Sequence, residues 1–67
     1  MKGTVIRKRE EQNFGFIKGE DGKDYFFHAG ACVNVPFKQL EIGSRVMFTS
    51  TTSPKGPRAE DIYLGDE

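Results

Sequence analysis

The sequence predicts an all-β fold, a five-stranded antiparallel Greek-key β-barrel, on three observations. Gly and Pro divide the chain into short segments rich in β-branched and aromatic residues, the composition of strands bounded by turns. No segment keeps a helical period over several turns. With 67 residues there is room for one domain, residues 1–67, and a domain of this size buries only about 60% of the surface its unfolded chain exposes. Its core must be thin, and a closed sheet suits a thin core because each strand supplies one inward row and few edges stay open.

The strands are expected at Lys2 to Arg9, Asn13 to Lys18, Lys23 to His28, Ser44 to Thr51 and Arg58 to Leu64. Between the second and third, Gly19-Glu20-Asp21-Gly22 offers a tight turn whose Asp-Gly pair tolerates positive φ. Those strands should be antiparallel neighbours. From Ala29 to Gly43 the pattern lapses into a longer connection holding Pro36 and Phe37, and Ser53-Pro54-Lys55-Gly56-Pro57 marks another loop. Five strands with one long crossing connection point to the OB type of barrel.

Alternate side chains of a strand point to opposite faces. Phe14 and Phe16 therefore share one face, with Gly15 and Ile17 on the other; Phe26 and His28 share a face opposite Tyr25 and Phe27. Both rows are apolar, and so small a barrel can bury only one. Gly15 decides, because a residue without a side chain suits the crowded concave side of a curved sheet. Ile17, Tyr25 and Phe27 then fill the interior with Val5, Leu40, Val46, Phe48 and Ile62, leaving Phe14, Phe16, Phe26 and His28 outside. An exposed cluster of rings invites aggregation unless something binds there. Unpaired bases are a fitting ligand, since each has a π-face and stacking contributes about 1–3 kcal/mol per base.

Charge is balanced, 10 basic against 10 acidic residues, but unevenly placed. Lys2, Arg7, Lys8 and Arg9 load the first segment, Lys55 and Arg58 flank a later turn, and Glu60, Asp61, Asp66 and Glu67 make the end acidic. Such segregation gives either a basic face for phosphate or an ordinary solvated surface, with Arg7-Lys8-Arg9 paired to Glu10 and Glu11. Cys32 is the single cysteine, so an intramolecular disulfide or cysteine metal cluster is excluded, and a reducing compartment fits. It reads as a buried, inert thiol. Residues 1–5 lack the apolar run of a secretory signal, and no stretch is long enough to span a bilayer as a helix. A cytoplasmic monomer, complete from Met1, is expected. One histidine and one cysteine without an acidic orienter do not make a catalytic site, Lys55-Gly56 lacks the spacing of a phosphate loop, and the acidic residues lack calcium-loop spacing. The expectation is a protein without catalytic residues, metal, cofactor or small-molecule substrate.

Gly3-Thr4-Val5, Asn13-Phe14-Gly15-Phe16-Ile17, Asp24-Tyr25-Phe26-Phe27-His28 and Lys55-Gly56-Pro57 together resemble the cold-shock domain family, over nearly the whole chain. The two aromatic stretches look like its paired ribonucleoprotein-type motifs. The resemblance implies binding of single-stranded RNA or DNA, stacking roles for Phe14, Phe16, Phe26, His28 and the loop residue Phe37, and Lys55 near the nucleic-acid backbone. It also implies RNA-chaperone behaviour or control of transcription and translation. The chain departs from bacterial members in its first strand, where a Lys-Trp-Phe-Asn run becomes Ile6-Arg7-Lys8-Arg9. A ring after the histidine is replaced by Ala29, and Lys-Gly before the first Phe becomes Gln12-Asn13, which is similar to cold-shock-like repeats of a eukaryotic translational regulator. Three absent rings, at about 1 kcal/mol each, predict at least hundredfold weaker binding, with Arg7, Lys8 and Arg9 restoring part of it through charge. The competing reading is a protein-interaction module that uses the same face after its nucleic-acid binding has decayed.

Overall fold

Every second residue of the first three strands turns inward in the computed structural model, which describes residues 1–65: Gly3 and Val5, then Gly15, Ile17 and Gly19, then Tyr25 and Phe27. Five strands carry this alternation: β1 (Lys2–Arg9), β2 (Phe14–Gly19), β3 (Asp24–His28), β4 (Arg45–Ser53) and β5 (Gly56–Leu64). Single 3-10 turns lie at Glu10–Gln12, Ala29–Ala31 and Phe37–Gln39. Asp66 and Glu67, counted in the acidic end, lie outside the described residues.

The strands close into a barrel in the order β1-β2-β3-β5-β4. Four of the neighbouring pairs are antiparallel and the fifth, β3 with β5, is parallel, joined through Phe26 and Arg58. The parallel pair follows from counting. A closed ring with an odd number of strands cannot alternate direction all the way round, so one neighbouring pair must run the same way. That pair is the one created by the long crossing from β3 to β4, after which β5 returns beside β3.

All eight residues expected inside are buried, joined by Val35, Phe37 and Ala59 in one cluster. Tyr25 stacks near Phe48 with ring centroids 5.1 Å apart. The rings crowd the backbone. A Cβ added at Gly15 would lie 2.6 Å from the Arg7 carbonyl oxygen and 2.8 Å from the Phe27 ring, so glycine there is what lets β1, β2 and Phe27 pack.

Two turns carry their own chemistry. In the β2–β3 turn Gly22 takes φ 83°, and the Asp21 carboxylate accepts the Lys23 amide at 3.1 Å and the Tyr25 hydroxyl at 2.7 Å. The Tyr25 hydrogen bond, then the Lys23 amide, holds the Asp21 carboxyl below its ordinary value, and the same bond pushes the Tyr25 phenol up. The β4–β5 connection is tighter than expected. Ser53 pairs with Gly56, so only Pro54 and Lys55 form the tip, and both strands reach residues that read as loop. Proline and glycine marked the turn correctly but exaggerated its length.

Candidate nucleic-acid interface

A β-bulge in β1 sets the outer face. Val5 pairs with Ile17 but Arg7 pairs with Phe16, so Ile6 is the extra residue. One extra residue exchanges the two faces of all that follows. Without it, the alternation that buries Val5 would turn Arg7 and Arg9 inward and Lys8 outward. With it, Arg7 and Arg9 face out and Lys8 faces in.

Directly paired residues share a face, and the register lays out the surface in rows. Across four strands run Arg7, Phe16, Phe26 and Arg58; beside them lie Arg9, Phe14 and His28. The rings of Phe14, Phe16 and Phe26 form a mutual cluster, with centroids 6.0 Å (Phe14 to Phe16), 5.5 Å (Phe14 to Phe26) and 5.8 Å (Phe16 to Phe26) apart. Phe16 stands edge-on to both others, at 89° and 76°. All three are half-buried, and His28 is exposed. The His28 Nδ1 accepts the Gly30 amide at 3.1 Å, which places the proton of the neutral ring on Nε2 and leaves the outer edge a donor.

Grooves lie on both sides of Phe16. One, about 330 Å³, is lined by Ile6, Arg7, Phe16 and Asp24. The other, about 490 Å³, runs between Phe16 and Phe26 and the β4–β5 tip, with Ser53, Pro54, Lys55, Pro57 and Arg58. A larger depression of about 720 Å³ lies where Lys8–Gln12 meet Leu40–Ile42, away from the rings.

Two expected site residues are placed elsewhere. Phe37 is a core residue, 8% exposed, with its ring 5.8 Å from that of Phe27. Its 3-10 turn folds the side chain under the barrel rim, so it offers no open face to a base. Lys8 follows it inward. Its side chain is only 11% exposed and its amine lies 3.4 Å from a Glu10 carboxylate oxygen. The amine also stands 5.3 Å from the Phe37 ring centre and donates to the carbonyls of Lys38 and Leu40. Of the two readings of Lys8, phosphate ligand or internal partner, these contacts belong to the second. They also revise the count of absent rings: a ring at position 8 would point under the rim, so at most two, at positions 7 and 29, are absent from the face.

Arg9, expected only to add charge to the binding, stands opposite Phe14. Only the bulge puts it there, and Ile6 carries no sequence mark of a bulge. Lys55 is exposed at the tip as expected. Cys32 is half-buried against the core, and burial pushes its thiol up, opposed by the charge of Lys8. Among the described residues, no group of three or more His, Cys, Asp or Glu side chains is placed to hold a metal ion, and no helix is long and apolar enough to cross a membrane.

Residues 1–64 match the family described as the 'Cold-shock' DNA-binding domain. The chain belongs to the cold-shock domain family. It is 42% identical over 60 residues to Cold shock protein 1 of Lactiplantibacillus plantarum, covering 90% of this chain and 91% of that one. It is 44% identical over 63 residues to the Cold shock-like protein CspE of Escherichia coli, covering 92% and 91%. Among solved structures, the "drosophila Unr CSD456" chain superposes with a TM-score of 0.73 at 22% identity, over 97% of this chain and 26% of that longer one; at that identity the likeness shows the fold alone. Cold-shock domains bind nucleic acid, single-stranded in particular, and are not enzymes.

Proposed function

We propose that this cold-shock domain binds single-stranded RNA or DNA by stacking unpaired bases on Phe14, Phe16, Phe26 and His28 while Arg7, Arg9, Lys55 and Arg58 follow the phosphates. The observation that carries the reading is the row Arg7, Phe16, Phe26, Arg58, which sets two rings between two guanidinium groups across four adjacent strands. Rings bind any base, and flanking cations neutralise the backbone that connects the bases. The mechanism is passive. A bound strand is withdrawn from intramolecular pairing by mass action, with no cofactor and no nucleotide hydrolysis, which is the action of an RNA chaperone or a regulator of transcription and translation in the cytoplasm. Duplex binds poorly because its bases already stack on each other and cannot splay onto a sheet. The buried Phe37 and the half-buried Lys8 are left out of it.

The test is a titration of labelled single-stranded RNA, single-stranded DNA and duplex of one length, at two salt concentrations. Single strands should bind well above duplex, and Phe16→Ala combined with Phe26→Ala should weaken binding roughly thirtyfold or more, from two lost stacks of at least about 1 kcal/mol each. Unchanged affinity in the folded double variant would overturn the stacking role. No oligonucleotide binding at low salt would favour a protein-interaction module.

A further inference from the structure

The larger groove beside Phe16 has a chemical character the stacking rings do not share. Its walls are apolar, two phenylalanine rings and two prolines, and its polar side chains are Ser53, Lys55 and Arg58. Ser53 is already committed: its hydroxyl donates to the Gly56 carbonyl at 2.9 Å and accepts the Lys55 amide at 3.3 Å. The remaining side chains, a guanidinium and an ammonium, only donate. Arg58 is also incompletely partnered. Its Nε is covered and has no hydrogen-bond acceptor, since the nearest carboxylate oxygen, on Glu60, stands 3.9 Å away and accepts instead from the Thr51 hydroxyl at 3.4 Å. A covered donor without an acceptor is unfavourable. A ligand that supplies two adjacent acceptors would draw the guanidinium into the groove and satisfy its planar fork.

Among the purines one edge offers that pair; among the pyrimidines the N3/O2 edge of an unpaired cytosine does, but guanine brings the larger ring face to the Phe16 and Phe26 walls. Guanine presents N7 and O6 side by side, whereas adenine places a donor amino group beside its N7. We infer that the groove between Phe26 and the β4–β5 tip is a guanine-selective slot, in which the base lies against Phe16 or Phe26 and its N7/O6 edge faces Arg58. This rests on the proposed nucleic-acid binding, turns Arg58 from a phosphate to a base edge when guanine occupies the groove, and adds base selectivity to a surface whose rings alone are indifferent to sequence. The position of Arg58 favours the role: it pairs directly with Phe26 across the β3–β5 seam and lines the same groove.

The experiment uses thymine oligonucleotides of one length carrying a single central guanine, adenine or 7-deazaguanine, because thymine has no pair of adjacent acceptors. Guanine and adenine are both purines, so their ratio reports the edge rather than stacking area. In the unmodified protein guanine should be favoured over adenine roughly tenfold, the scale of one bidentate arginine contact, with 7-deazaguanine between them. Arg58→Lys keeps the charge but loses the fork, and should bring the guanine-to-adenine ratio to near one. Equal affinity for guanine and adenine, or a ratio unmoved by Arg58→Lys, would overturn the slot while leaving stacking intact. Failure to bind any of the oligonucleotides at low salt would overturn the slot together with the reading beneath it.

Discussion

Asn13 shows how a single residue can keep a backbone conformation while changing identity. It closes the Glu10–Gln12 turn at φ 59° and ψ 42°, the left-handed region where most side chains clash and where Gly, then Asn, is tolerated. The Gln12-Asn13 pair in place of Lys-Gly is therefore a substitution within one backbone requirement. Asn13→Gly should leave the urea midpoint nearly unchanged, and Asn13→Ala should lower stability by about 1 kcal/mol. Lys8 carries the opposite lesson, since its place in a run of three cations concealed an inward orientation. Removing its charge with Lys8→Met should leave the salt dependence of oligonucleotide binding unaltered, while Arg9→Met should reduce the slope by about 0.7, the contribution of one phosphate on a single strand. Equal effects from the two variants would mean that both amine and guanidinium reach the nucleic acid.

Within the β2–β3 hairpin, a residue pattern legible in the sequence and a contact that was not act together. Alternation identified which row is inside, and Gly15 identified the side; both rest on strand geometry, which sequence displays directly. The Asp21 to Tyr25 bond depends on a turn conformation that sequence does not display. Because the Asp21 carboxyl is lowered in the folded chain, its contribution is present above the ordinary value of 3.8 and is lost as pH falls through the lowered one. For Tyr25 the raised phenol gives a contribution present below 10.0 and lost as pH rises through the folded value. The bond thus supports the hairpin across the neutral range and at neither extreme. Tyr25→Phe should leave a stability profile flatter on both the acid and the alkaline side, measured by urea unfolding across pH. In the same hairpin, Gly15→Ala should destabilise by about 1–3 kcal/mol, the usual scale for overpacking, because one of its close neighbours is a backbone carbonyl that cannot swing away. The bulge at Ile6 was not legible. Nothing in Val5-Ile6-Arg7 differs from a regular strand, and only the need of β1 to bend around a closed barrel calls for an extra residue.

At the scale of the whole molecule the proposed binding rests on local field rather than net charge, which is zero. Arg7, Arg9, Lys55 and Arg58 surround the rings, and contact with two to four phosphates predicts a slope of log affinity against log salt between about −1.4 and −2.8 for a single strand. A slope near zero would mean that the cations are bystanders. The barrel itself was readable from strand number and the long connection, and even its parallel pair is implied by the odd count of strands. Less readable was which side of the rim each long-connection residue would take: Phe37 looked like a loop residue and proved to be core, because a proline-led 3-10 turn tucks it beneath Phe27.

The junction between β3 and β5 joins residues far apart in sequence through the single Phe26 to Arg58 pairing, whereas β4 and β5 are laddered along most of their length. It is the narrowest weld in the cylinder, and so the place where the wall should part first in thermal fluctuation. Amide hydrogen exchange should be fastest along that line in the free domain. A strand held by Phe26 on one side and Arg58 on the other would suture the gap, slowing exchange there more than in the β1–β2 wall.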